Sequence, residues 1–488
     1  MNKEKKSLPL ANALDEFIAR APAYFCTPGH RFEKGISPEL AVRFGEEVFK
    51  RDLTETYGLD DLHRACGAIK EAEELAARLY NAQHTRFLVN GTTCANEAMI
   101  MAAAGEKDEI LIARNSHSSC ISGLILSGAR PVWMLPDIDR KWGIYTGFLV
   151  EDIKHQLDKN KNIKAVMLVS PTYYGDLCNI KEIADLCHER KIPLLVDEAH
   201  GAHLYFSEIL PTGALMNGAD AVGMSTHKTL GSMTQSSMLH VNSELVDIDK
   251  IDSALRLLMS SSPSYILMTS LDAAREQMQR CGMELAEKAA KLGERLRNDL
   301  KKIPGVSVYD GCKMGLNDPT RVVFSLKALG VSGYEISERL FYEHNVCLEM
   351  ADVSNIVAIV TFANDENDID RLVKAVSAVA DDIRGDRKIA EKMNYSEIAN
   401  FIKSMKISDM KLTPREVYFA KWEWARLSEA RGRISAESIA PYPPGIPVIN
   451  PGEVFDADVC AILRYCCENN ISVHADGRES IEYVRVLR

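Results

Sequence analysis

An α/β domain built on a mostly parallel sheet, followed by a smaller α+β unit and a second α+β region at the C-terminus, is the architecture this 488-residue sequence predicts. Three observations carry it. From about residue 86 to 240, short β-rich apolar runs alternate with helical stretches, as in parallel βαβ units. Residues 271–300 place apolar side chains at helical spacing behind a charge-laced face, which suits a long packed helix leading into a new unit. After a polar stretch, "DDIRGDRKIAEKMNYSE", the chain reaches "APYPPGIPVINPGE", whose prolines and glycines forbid regular structure and fix a rigid loop.

Taken in order, residues 1–50 read as an N-terminal arm and 51–270 as the large domain. Its expected strands are "RFLVN" (86–90), "EILIAR" (109–114), "RPVWML" (130–135), "IKAVMLVS" (163–170), "IPLLVDEA" (192–199) and "ADAVGMS" (219–225). Residues 271–388 form the small unit: the long helix, strand-like "VSVYD" and "TRVVFSL", helix-like "GYEISERLFYEHN", then strand-like "IVAIVTF". Residues 389–488 form the C-terminal domain. No internal repeat or low-complexity tract interrupts this order.

Composition narrows the function classes. A formal charge of -11 argues against a protein that coats nucleic acid, because neutralising phosphates needs a basic face. The twelve cysteines include no CxxC pair, so neither a zinc ribbon nor a thioredoxin-type motif is expected. The N-terminus lacks an apolar signal region, and no apolar run reaches the roughly 18 residues a membrane helix needs. A reduced, soluble, cytoplasmic chain is the expectation.

Several strands end in a chemically loaded cluster: "NGTTCAN", "RNSHSS", "SPTYYGD", "DEAHGAH" and "STHK". In open parallel sheets ligands bind beyond the carboxyl ends of strands, so these clusters should converge. Gly91, Thr92 and Thr93 open a helix whose free N–H groups could cup a phosphate, although simple N-capping explains the hydroxyls as well. No GxxxxGK[ST] precedes "DEAH", so an ATP-driven helicase is disfavoured. Asp197, at the end of a buried strand, needs a cationic partner, either a structural ion pair or a ligand's ring nitrogen. His200 and His203 are too few for a metal site, and none is expected. His117 offers a flat ring for stacking on a heteroaromatic cofactor. Lys228, normally a snorkelling surface residue, stands at a strand mouth, where desolvation would free its amine to attack an aldehyde. Phosphate cup, flat ring, buried anion and amine together are what pyridoxal 5'-phosphate requires.

With those residues in view, the chain resembles the aspartate-aminotransferase-fold (fold type I) pyridoxal-phosphate enzymes, and more narrowly the Orn/Lys/Arg decarboxylases in their short bacterial form. The resemblance rests on "TPGHRFEKG" (27–35), "DLTETYGLDDLH" (52–63), the clusters above, "STHKTLGSMTQSS", "SSSPSY" (260–265) and "GRISAESIAPYPPGIPVINPGE" (432–453). It implies a seven-stranded, mostly parallel sheet with helices on both faces. It also implies a homodimer or dimer-based assembly with active sites at the interface, and decarboxylation of arginine, lysine or ornithine in polyamine biosynthesis, arginine slightly favoured. An aminotransferase or another lyase of the same fold is the alternative.

By the same resemblance Lys228 carries the cofactor as a Schiff base and Asp197 faces the pyridine nitrogen. His117 stacks on the ring, Ala199 packs beneath it and His200 lies nearby. Gly91, Thr92, Thr93 and Ser225 hold the phosphate, and Ser261 reaches the neighbouring subunit's phosphate. His227 or Lys228 returns a proton to the substrate carbon. For the substrate, His30 and Arg31 of the PGH motif are candidates, with Glu349, Asp352, Glu437 or Glu453 for its distal cation. Ser118 after the stacking histidine, Arg31 where lysine is more usual, and "ETYG" depart from the common pattern in substrate-facing regions.

Overall fold

The structure is a computed structural model describing residues 7–312, 315–385, 406–441, 446–468, 473–475, 478 and 481–488. Seven strands make the main sheet: β1 (His84–Leu88), β2 (Glu109–Ala113), β3 (Arg130–Met134), β4 (Ile163–Val169), β5 (Leu194–Asp197), β6 (Ala221–Met224) and β7 (Ser237–Val241). Their order across the sheet is β1-β7-β6-β5-β4-β2-β3, with only the β7 edges antiparallel. Strands β5, β6 and β7 are buried at every position, as expected where helices cover both faces. Six strands coincide with the expected runs. The seventh, "SMLHV", turns back on β6 after the lysine cluster.

Two helices on this sheet matter for the site. Helix α1 (Gly91–Ala103) leaves β1, and α2 (Ser118–Ser127) leaves β2. Gly223 on β6 lets α1 sit close: a methyl group there would come within 2.9 Å of Thr92 Cγ2 and 3.0 Å of the Ala95 methyl. The strand ends after β1, β2, β4, β5 and β6 therefore open on one edge of the sheet, together with the start of β7.

Lys228 lies on the single-turn helix α3 (Thr226–Thr229), and α4 (Tyr265–Leu300) follows. Helix α4 starts before the expected boundary at residue 270, because Ser264 caps it by accepting from the Leu267 N–H. A break at Cys281 (φ −141°) lets it serve two cores, with Leu271 and Met278 in the first and Leu292, Leu296 and Leu300 in the second. The second core lies under an antiparallel sheet of β8 (Ser307–Val308), β9 (Arg321–Ser325), β10 (Met350–Ala351) and β11 (Ile356–Ile359), in the order β8-β9-β11-β10. Helices Gly333–His344 and Glu366–Gly385 cover it with Ile336, Leu340, Val376 and Val379.

A third core gathers Ile439, Ile449, Phe455, Leu463, Val484 and Val486 near the C-terminus. The segment holding the expected boundary at 388/389 and residues 442–445 of the "PYPPGIP" loop lie outside the described residues. Among the described residues no helix is long and apolar enough to cross a membrane.

Candidate active site

The strand-end clusters meet around Lys228. Ser225 follows β6 and its carbonyl accepts the Lys228 N–H at 3.1 Å, so the first turn of α3 swings the side chain back over the sheet edge. Its Nζ lies 3.1 Å from His200 Nε2 and 6.0 Å from the centre of the Tyr173 ring. Burial lowers the pKa of this amine; Asp197 opposes that, Arg321 reinforces it, and Glu349 opposes it more weakly.

Asp197 closes β5 with 3% of its surface exposed. Its carboxylate accepts from Asn96 Nδ2 at 2.7 Å and from the Ala199 N–H at 3.1 Å. Asn96, on the buried side of α1, also donates to Ser119 Oγ at 3.0 Å. That hydroxyl stands 2.9 Å from His117 Nδ1, which also accepts the Ser119 N–H at 3.2 Å. Because a backbone N–H can only donate, His117 Nδ1 carries no proton when neutral, and the ring is locked at the mouth of α2. One continuous chain thus runs from Asp197 through Asn96 and Ser119 to His117.

On the other side, Gly91 opens α1 at φ +71° and donates its N–H to Gln235 O at 2.8 Å. Thr92 Oγ1 lies 2.8 Å from Ser225 Oγ and 3.3 Å from Ser237 Oγ, three hydroxyls at the N-terminus of a 13-residue helix. Thr93 points outward from the same turn and is exposed. His227 Nδ1 donates to Ser236 O at 2.8 Å, and burial lowers its pKa. Buried carboxylate, stackable imidazole, desolvated amine and a hydroxyl cup at a helix start form a donor set that fits pyridoxal 5'-phosphate; Asp197, His117, Lys228, Thr92 and Ser225 are the residues that would hold it.

Other candidates lie apart. Ser261 is exposed in the loop that ends at Ser264. His30 bonds Phe32 O at 2.5 Å and Asp52 Oδ2 at 3.1 Å, while Arg31 donates to Tyr24 O and covers the Phe25 ring, so both are engaged close to the N-terminal segment. Three of the four proposed distal-cation acids must be withdrawn, because their oxygens are already taken. Asp352 binds Tyr174, Asn355 and the Ser354 N–H; Glu437 binds Arg478 and the Arg485 N–H; Glu453 holds Arg114. Glu349 alone stays exposed and reaches Lys228 electrostatically. His203, the other histidine of "HGAH", pairs with Asp318 at 3.0 Å, and no group of metal-ligating side chains is assembled among the described residues.

Sequence reasoning missed Asn96, Ser119, Ser237 and Arg321 as site residues. Arg321 Nη2 stands 2.7 Å from His200 Nδ1. A lone cation inside the apolar run "TRVVFSL" was the available signal.

Comparison with known proteins identifies the family and the fold. The family profile for the Orn/Lys/Arg decarboxylase major domain matches residues 8–314, and that for the Orn/Lys/Arg decarboxylase C-terminal domain matches residues 399–471. An arginine decarboxylase of Bacillus subtilis (strain 168) is 36% identical over 488 residues, covering 98% of each chain. Among solved structures, the Francisella novicida lysine decarboxylase superposes with a TM-score of 0.83 at 22% identity, over 99% of this chain and 81% of that one. An alanine–glyoxylate aminotransferase from Nostoc sp. gives 0.54 at 20% identity, over 64% and 86%. The fold is thus the fold type I architecture of pyridoxal-phosphate enzymes, and the chain belongs to the Orn/Lys/Arg decarboxylase family.

Proposed function

We propose that this protein is a pyridoxal-phosphate-dependent carboxy-lyase that removes the α-carboxylate of a basic L-amino acid, with arginine to agmatine favoured over lysine to cadaverine or ornithine to putrescine. The observation that carries the reading is Lys228: an amine with its charge disfavoured by burial, in one pocket with buried Asp197 at the carboxyl ends of β5 and β6. The arginine preference rests on the full-length relative named arginine decarboxylase.

When bound, the cofactor supplies an electron-accepting ring that takes up the electron pair left as CO2 departs. The chain's own groups do the rest. Asp197 holds a proton on the pyridine nitrogen, and Asn96 keeps that carboxylate aimed. Ser119 holds the His117 ring in one orientation for stacking. Thr92 and Ser225, with the open N–H groups of α1, hold the phosphate. Lys228 would hold the cofactor's aldehyde carbon through its amine. Either Lys228 Nζ or His227 Nε2 then delivers a proton to the substrate α-carbon; the Nδ1 bond to Ser236 O fixes the His227 ring for that task. Glu349 is the acid proposed for the substrate's distal cation.

We further propose a cytoplasmic homodimer, or a dimer-based assembly, in which Ser261 reaches the neighbouring subunit's phosphate, with the chain divided at about residues 50, 270 and 388. Borohydride reduction of the cofactor-loaded protein, digestion and mass spectrometry test the anchor. The label should sit on the Lys228 peptide and vanish, with the visible absorption band, in Lys228→Ala. A label on another lysine would refute the assignment.

A further inference from the structure

The ring of His200 lies between two cationic side chains, and that arrangement fixes its proton. Nδ1 is 2.7 Å from Arg321 Nη2, and Nε2 is 3.1 Å from Lys228 Nζ. A guanidinium donates and never accepts, so Nδ1 must accept and carries no hydrogen. A doubly protonated ring is thereby excluded, since it would set one N–H against another across 2.7 Å. The single ring proton is therefore on Nε2, aimed at Nζ. An ammonium there would meet a donor with donors, whereas a neutral amine offers its lone pair.

We infer that Arg321 and His200 form a polarity relay that fixes the Nε2–H tautomer and selects the neutral, nucleophilic form of the Lys228 amine; both act as positioning residues. The inference deepens the reading of Lys228 as the cofactor lysine and rests on it.

The surroundings support the relay. Arg321 is fully buried at the start of β9, and its Nη2 also approaches His200 O at 3.4 Å, so the guanidinium grips ring and backbone together. Its Nε and Nη1 have no hydrogen-bond partner among the described residues. The neighbouring carboxylate of Asp318 is already held by His203 at 3.0 Å and by the Thr320 N–H and hydroxyl at 2.9 and 2.7 Å. No carboxylate forms an ion pair with Arg321, and Asp318 and Glu349 offset its burial only through space. Tyr173 closes one side of the imidazole, ring centres 4.6 Å apart. The other ionisable groups that act on Lys228 are Asp197 at the end of β5 and Glu349 just before β10, with His227 beside it on α3. Burial, reinforced by Lys228 and Arg321, keeps the His200 pKa well below its ordinary value, in agreement with the geometry.

Two readouts test the relay on the full-length chain stripped of carbonyl compounds with hydroxylamine. In protein labelled with ¹⁵N-histidine, the His200 signal, identified by its disappearance in His200→Gln, should report the Nε2–H tautomer. In Arg321→Met it should shift to the Nδ1–H form. Pulsed acetylation across pH, read on the Lys228 peptide against exposed lysines, should show the amine's apparent pKa rising by about one unit in Arg321→Met, a roughly tenfold loss of labelling below it. His200→Gln should keep Lys228 reactive to within about twofold, because an amide can accept from Arg321 and donate to Lys228 as the ring does. An Nδ1–H signal in the wild type overturns the relay, as does an Arg321→Met protein unchanged in both readouts. If Arg321→Met does not fold, the wild-type tautomer decides alone. Borohydride label on a lysine other than Lys228 defeats the functional reading and leaves the tautomer result standing; label on Lys228 with an Nδ1–H ring defeats the relay only.

Discussion

Arg114 and Arg321 are both buried, at 2% and 0% exposure, and they are held in opposite ways. Arg114, just past β2, makes a two-pronged bond to Glu453 at 2.5 and 2.8 Å, donates to Pro447 O and Val448 O, and lies over the Trp133 ring at 5.2 Å. It clamps the C-terminal region to the large domain with all three guanidinium nitrogens engaged. Arg321 has no carboxylate partner and spends its one good bond on an imidazole. A buried charge with matched partners is architecture. One left unmatched next to a desolvated amine is a source of field, and its cost is borne for chemistry.

The largest expected effect lies on the unmatched side. Lys228→Ala should lower decarboxylation by about ten-thousandfold or more in steady-state assays, a loss typical of removing a covalent participant. Next comes the clamp. Glu453→Gln leaves Arg114 buried without its counter-charge and should cost about 3–5 kcal/mol in urea or thermal unfolding, while the paired apolar replacement Arg114→Met with Glu453→Leu recovers most of it. Arg321→Met should cost less than Glu453→Gln, because Arg321 makes no ion pair and Asp318 and Glu349 offset its burial only through space. Equal losses for Glu453→Gln and Arg321→Met would erase the distinction between the two arginines.

A third buried charge sharpens the comparison through its pH dependence. Glu198 has no cation beside it; burial raises its pKa from 4.5 to about 8, against the lowering effect of bonds from Tyr205 and the Ala214 N–H. A carboxyl raised on folding contributes stability that is complete below its unfolded pKa and is lost as pH rises through the folded one. Wild-type stability should therefore decline between about pH 4.5 and 8, and Glu198→Gln should flatten that slope in unfolding curves taken across the range.

Much of the site was legible in the sequence because each cluster follows a strand directly, so chain order alone brings Thr92, His117, Asp197 and Lys228 to one sheet edge. Residues that act through space were not legible. Arg321 arrives from the small unit, 93 positions after Lys228; its apolar run marks it as a cation in a buried strand, but nothing local says which site it faces. Two of the acids proposed for the substrate's cation failed for the same reason. Glu453 looked free because its partner, Arg114, lies 339 residues earlier, and Glu437 because Arg478 comes 41 residues later. In the fold, β7 escaped notice as a five-residue strand returning at once upon β6, and the start of α4 was placed late because the Ser264 cap precedes its apolar periodicity.

The central claim is that this pocket breaks the bond to the α-carboxylate of a basic amino acid. Carboxyl-labelled arginine, lysine and ornithine, each incubated with the cofactor-loaded wild type and with Lys228→Ala, test it most directly. Labelled CO2 should appear in step with the matching amine, fastest from arginine, and none should appear with the variant. Transfer of the amino group to a keto acid with the carboxyl label retained would contradict it.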